Sequence, residues 1–243
     1  MNGVDDYRYL VSGDDLISSR VRIRESDLLI RGDRDLEVPA REALSRYRRQ
    51  IEDYLFVHPG WGKSLVPVPA EAGAPQIVSA MSRGASACGV GPMAAVAGAL
   101  AWFVGMELSA LSSEVIVENG GDIYLDCRRE RIILVQVGGG SPFAGRVGIR
   151  VPPGPPATGA AASSGTGGRS LSWGKAAAAV VVAADSMIAD GAATALGNRI
   201  RSSERAVIEA ALEAVAAIPG VAGCLVVGGD LLAVRGDIEL AGR

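Results

Sequence analysis

The apolar positions of the chain change period along its length, and each change marks an element. Alternation in Arg20-Val-Arg-Ile-Arg24, followed by Asp27-Leu-Leu-Ile30, predicts an early strand or hairpin with one wet, basic face. From Pro39 the period is helical: Leu44, Tyr47, Ile51, Tyr54 and Leu55 share a side, and His58-Pro59-Gly60 ends the run. A second helix begins over residues 74–81, Gly89-Val-Gly-Pro92 interrupts the chain, and a third helix runs from 93 to about 111. On this third helix Ala94, Gly98 and Ala101 form a small-residue stripe that lets another element approach its backbone, so it is the expected central helix.

Strand-like runs follow at Glu114-Val-Ile-Val117, Asp122-Ile-Tyr-Leu125 and Arg131-Ile-Ile-Leu-Val135, which predict an antiparallel meander, and Arg146-Val-Gly-Ile-Arg-Val151 is a further strand. Residues 152–168 are rich in Pro, Gly, Ala and Ser. They read as a long functional loop, because an interdomain linker there would leave too short a run after it to form its own core. Residues 176–184 are a buried strand by their unbroken apolar character, and Asp185-Ser186 caps a helix that ends at Gly197-Asn198. One more helix, 204–218, stops at Pro219-Gly220. Cys224-Leu-Val-Val227, Leu231-Leu-Ala-Val234 and Ile238-Glu-Leu240 close the chain as strands. Gly-Gly-Asp recurs at 120–122 and 228–230, a faint echo of a duplicated hairpin.

Composition narrows the class. A chain of 243 residues suits a single domain, 1–243, whose core buries roughly three quarters of the unfolded surface. The 49% hydrophobic content and mean hydropathy of +0.25 exclude intrinsic disorder. Twenty-four basic and 27 acidic side chains leave a net charge of −3, so neither nucleic acid nor a membrane surface is an expected partner. The first residues lack a basic n-region and an apolar h-region, which makes the cytoplasm the expected compartment. Cys88, Cys127 and Cys224 form no C-x-x-C pair and are expected to be buried free thiols. The uncharged stretch 87–106 is long enough for a bilayer, yet it is mostly Ala and Gly with Pro92 inside, so it reads as a core helix.

Three groups of residues can carry chemistry. Gly89, Gly91, Pro92 and Met93 begin a helix whose free N–H groups favour an anion, although the Walker lysine and the dinucleotide G-x-G-x-x-G are both missing. Asp190 and Thr194 stand one helical turn apart and can share an oxygen-seeking cation such as Mg²⁺ once phosphates and waters complete its octahedron. Ser163, Ser164, Gly165 and Thr166, with the glycines after them, offer hydroxyls and N–H groups suited to a phosphate nest. Each has a plainer reading, respectively an architectural turn, an exposed helix residue and a flexible loop. His58 is the only histidine, so a Ser-His-Asp set has no support.

Read together, Arg24-Glu-Ser-Asp-Leu28, Gly89-Val-Gly-Pro-Met-Ala-Ala-Val-Ala-Gly98, Val115-Ile-Val-Glu-Asn-Gly-Gly-Asp-Ile-Tyr-Leu125, Ser163-Ser-Gly-Thr166, Ser170-Leu-Ser-Trp-Gly-Lys-Ala176 and Ala189-Asp-Gly-Ala-Ala-Thr-Ala-Leu-Gly-Asn198 recur in order. The chain thereby resembles, from end to end, an uncharacterised family of the ApbE-like superfamily, whose best-known members are FAD:protein FMN transferases. The resemblance implies an α+β fold, a mostly antiparallel sheet packed by helices. It also implies FAD or a related nucleotide bound together with Mg²⁺. In the transferases FMN passes from FAD to a threonine of a target protein and AMP is released.

The resemblance places metal ligands on Asp190 and Thr194, a Gly-Gly-Asp segment on Gly120, Gly121 and Asp122, and the flavin loop's Ser-Gly on Ser164 and Gly165. It also implies departures. Gly-Val-Gly-Pro stands where transferases have Ala-Lys-Gly, and Arg169 replaces the histidine after the serine-glycine loop. Alanines at 161, 162 and 177 replace polar residues of close relatives. A permanent cation at Arg169 cannot accept a proton and is expected to pair with a phosphate. Two readings follow: a flavin- or adenine-nucleotide protein with FMN transferase-like chemistry on a protein substrate, or a non-catalytic accessory protein of sulfur or iron–sulfur metabolism. The three glycine-rich segments are expected to line one cavity.

Overall fold

Helices cover one face of a large sheet and a small sheet covers part of the other, so the apolar residues divide between two cores. The computed structural model of the chain describes residues 11–137, 141–164, 178–202, 204–228 and 230–242. Its strands are β1 (Ile17–Ile23), β2 (Ser26–Gly32), β3 (Val115–Asn119), β4 (Asp122–Asp126), β5 (Arg131–Leu134) and β6 (Val147–Val151). They continue as β7 (Thr158–Ser164), β8 (Ala178–Ala183), β9 (Val221–Gly228), β10 (Leu231–Gly236) and β11 (Glu239–Gly242). The helices are α1 (Glu37–Val57), α2 (Pro59–Lys63), α3 (Gln76–Cys88), α4 (Val96–Leu108), α5 (Ser186–Arg199) and α6 (Arg205–Ala216). The large sheet runs β1-β2-β3-β4-β7-β8-β9-β10 with every neighbour antiparallel. This is the expected α+β architecture.

The period of two decides which core each strand residue enters. In β8, Ala179, Val181 and Ala183 face the helices while Ala178, Val180 and Val182 face the small sheet, which is why all six are apolar and buried. In β3, Val115 and Val117 pack toward the helices and Ile116 packs away from them. The β1–β2 hairpin has its basic face in solvent, as predicted. Its tip is tied to α1 through Arg48, which donates to Glu25, Ser26 and Glu52.

Three expectations need correction. The meander stops after two strands: β5 leaves the large sheet and pairs with β6, which β11 joins on its other side. Ile133 of β5 and Ile149 and Val151 of β6 form an apolar cover over Ile116 and Ile123, and alternation along a strand cannot say which sheet it serves. Residues 158–164 of the expected long loop are β7, in the middle of the large sheet. A Cβ at Gly159 would lie 2.1 Å from the Asp185 carbonyl carbon. Close approach to the start of α5 therefore demands small residues, and small residues in a strand mimic the composition of a loop. Finally, residues Pro92–Ala95 form a 3-10 turn, so the central helix begins at Val96 and ends at Leu108.

The helices α3 and α4 meet at a bend of 102°, and among the described residues no single helix is long and apolar enough to cross a membrane. All three cysteines are buried and free, as expected. The first Gly-Gly-Asp run sits at a hairpin, with Asn119 paired to Asp122 across the turn, and Gly228 of β9 pairs with Leu231 of β10.

Candidate functional site

The turn between β3 and β4 has two central residues, Gly120 at φ 67° and Gly121 at φ 109°. A two-residue hairpin of this kind requires positive φ at both positions, which glycine supplies without strain. Gly121 is also hemmed in. A Cβ there would lie 2.3 Å from the Ala162 carbonyl oxygen, and the Ala162 N–H donates to the Gly121 carbonyl at 2.8 Å. The Gly121 N–H in turn donates to Glu118 Oε1 at 2.6 Å. The turn is thereby pinned to the end of β7, where Ser163 and Ser164 follow.

On its other side the turn is joined to α4. Asn119 Nδ2 donates to the Ala97 carbonyl at 3.1 Å. Asp122 is the cross-strand partner of Asn119, so it shares the helix-facing side of the sheet.

Against the first turn of α4 lies α5. A Cβ at Gly98 would stand 2.1 Å from the Ser186 carbonyl oxygen and 3.0 Å from Asp190 Cβ, so the small-residue stripe has its use at this position. The Gly98 N–H donates to Asp190 Oδ2 at 3.0 Å. Gly98 is the third residue of α4, where a helix leaves its N–H groups without internal partners, and Ala95 before it has no side chain able to cap. Asp190 of α5 performs that cap from outside, in favourable interaction with the positive end of the helix. A carboxylate of the protein itself therefore stands at the start of α4.

The electrostatics are acidic. Burial pushes Asp190 up to about 7, against the pull of the Gly98 and Ala97 amides. Asp122 is driven well above the usual carboxylate range by burial first, then by the charges of Asp190 and Glu118. Two neighbouring carboxyls with raised values hold a proton readily, and a cation would compete for the same place. Among the described residues no group of three or more His, Cys, Asp or Glu side chains is disposed to hold a metal. Thr194, one turn beyond Asp190 on α5, is partly buried. A carboxylate and a hydroxyl are hard oxygen donors, which fit Mg²⁺ and leave most of its shell to phosphate and water.

The remaining predicted site residues fall as follows. Gly89, at φ 70°, ends α3 in the left-handed conformation, and its N–H donates to the Ala85 and Ser86 carbonyls. A Cβ at Gly91 would lie 1.8 Å from the Ser64 carbonyl oxygen, so the segment leaving α2 rests on this glycine. Pro92 and the partly buried Met93 carry the chain on into α4. Gly165, Thr166 and Arg169 lie outside the described residues. The structure brings together the Gly-Gly turn, the start of α4, Asp122 and Asp190. Sequence reasoning passed over Glu118 and Asn119, two polar residues in succession where β3 meets its turn, although both stood inside a quoted motif.

This layered arrangement is the ApbE fold. The apo flavinyl transferase ApbE of Pseudomonas stutzeri superposes with a TM-score of 0.51 at 14% identity, over 93% of this chain and 94% of its own. A mutant form of the flavin transferase ApbE from Vibrio cholerae gives 0.50 at 12% identity, over 93% and 97%. The family model described as AbpE bacteria matches residues 8–227, and the chain belongs to that family. Among its relatives, a UPF0280 protein of Methanopyrus kandleri is 37% identical over 227 residues, 91% of either chain. Another, from Methanocaldococcus jannaschii, is 36% identical over 90% of each.

Proposed function

We propose that the chain binds a flavin or adenine nucleotide together with Mg²⁺ where the Gly120-Gly121 turn, the start of α4 and Asp190 meet, and that any FMN transfer to a protein threonine is slow. The observation that carries this reading is the Asp190 carboxylate, held by the Gly98 amide near a second, partly buried acid, Asp122. The flavin transferases that share the fold supply the ligand class. Asp190 and Thr194 would hold the cation. When bound, it would neutralise phosphate charge and polarise phosphoryl oxygens.

The protein's residues orient the nucleotide. Gly120, Gly121 and Asp122 border its phosphates, with Ser163, Ser164, Gly165 and Thr166 alongside and Gly89, Gly91, Pro92 and Met93 leading into the α4 end. Arg169 pairs with a phosphate. Removal of a proton from an acceptor hydroxyl by a positioned base contributes about 10²–10⁴-fold, and a guanidinium cannot provide it. The same substitution favours a second reading, a nucleotide-binding accessory protein without transfer activity.

Calorimetry with FAD, in the presence and absence of Mg²⁺, compares the parent with Asp190→Asn. Asparagine keeps an oxygen to accept from Gly98 and loses the charge. The expected outcome is an unchanged fold with Mg²⁺-dependent FAD affinity lowered about tenfold or more. Equal binding by both proteins contradicts the metal assignment.

A further inference from the structure

The peptide between Ala97 and Gly98 is held at both ends. Its carbonyl accepts from Asn119 Nδ2 at 3.1 Å, and its N–H donates to Asp190 Oδ2 at 3.0 Å. One planar unit therefore links the Gly-Gly turn to the carboxylate of α5.

Asn119 is out of keeping with its strand. The other β3 residues on its face, Val115 and Val117, are core aliphatics, and Asn119 is itself only 6% exposed. A buried amide costs free energy unless its groups are bonded, so a simple packing role would be served better by valine. The Ala97 carbonyl does not need rescue either, because a carbonyl in the first turn of a helix has its partner four residues on. A second donor there orients the peptide, and a carbonyl that accepts more strongly makes the N–H of the same peptide a stronger donor.

We infer that Asn119 is a positioning residue for Asp190: through the Ala97–Gly98 peptide it fixes where the carboxylate stands and couples it to the Gly120-Gly121 turn. A ligand that shifts the turn then shifts the Asp190 carboxylate, and the reverse. The coupling to metal rests on the Mg²⁺ reading above, whereas the chain of hydrogen bonds does not.

The test uses the full chain, with Asn119→Val as the variant that matches its strand neighbours, and Asn119→Ser as a smaller alternative if valine is not accommodated. The Gly98 amide proton, followed by NMR, is expected to move upfield and exchange faster in the variant, while the melting temperature stays within a few degrees. Calorimetry with FAD is expected to show Mg²⁺ affinity reduced about 10–100-fold, as for other residues that orient a metal ligand. An unmoved Gly98 amide with unchanged Mg²⁺ affinity would overturn the inference, as would a variant that loses stability alone. If the parent shows no Mg²⁺ dependence, the metal reading fails by itself, and the Gly98 amide still decides the role of Asn119.

Discussion

At Gly98 the missing side chain decides two things, how close α5 can come and whether Asp190 can reach the start of α4. Gly98→Ala places a carbon 2.1 Å from the Ser186 carbonyl oxygen, which is backbone and cannot rotate away. The expected cost is about 2–3 kcal/mol, the upper part of the overpacking range, read by denaturant unfolding. Asp190 itself gives a prediction in pH. Its carboxyl titrates near 7 without a cation, because burial disfavours the charge. A cation binds the ionised form, so protons compete below that value, and Mg²⁺-dependent FAD affinity is expected to rise from pH 6 to pH 8. Titrations in two buffers of different ionisation enthalpy check this through the proton released. A flat profile contradicts the involvement of Asp190.

Between elements, exposed polar residues act as ties as well as solvated surface. Asp33, just after β2, accepts from the Ser113 N–H at 2.9 Å and its hydroxyl at 3.0 Å, joining the end of β2 to the start of β3. These bonds, the backbone one first, hold its carboxyl down at about 2. The native state thus keeps this proton off more strongly than the unfolded chain does. The stability it adds is complete above the ordinary carboxylate value near 4 and is lost as pH falls through 2. Asp33→Asn is expected to flatten that part of the acid-unfolding curve, followed by circular dichroism. The sequence made elements legible where one physical demand dominates. The apolar side of α1 shows a helix, and the unbroken apolar run of β8 shows a strand covered on both faces. It misled where two demands coincide, as in β7, whose Gly159 is small because the start of α5 lies against it and whose composition therefore resembles a loop.

For the molecule as a whole, two covered faces explain why β5 turns away from its sequence neighbours: the second face of the large sheet needs an apolar lid, and β5, β6 and β11 supply it. The candidate site lies at the opposite, helix-covered face. The candidate pair of Asp190 and Thr194 was read from its spacing and from the family resemblance. The bond from Asn119 to Ala97 was not, because it spans 22 residues and depends on how α4 settles on the sheet. Gly89 and Gly91 looked like ligand contacts in the sequence, and each has a structural use here, one ending α3 and the other receiving the segment after α2.

If one nucleotide and one divalent cation meet at Asp190, diffraction from crystals grown with FAD and Mn²⁺ in place of Mg²⁺ will locate both. The expected result is an anomalous peak bonded to Asp190 and Thr194, with phosphate density beside the Gly120-Gly121 turn. FAD density elsewhere on the protein, or a cation that leaves Asp190 bonded only to the start of α4, would contradict it.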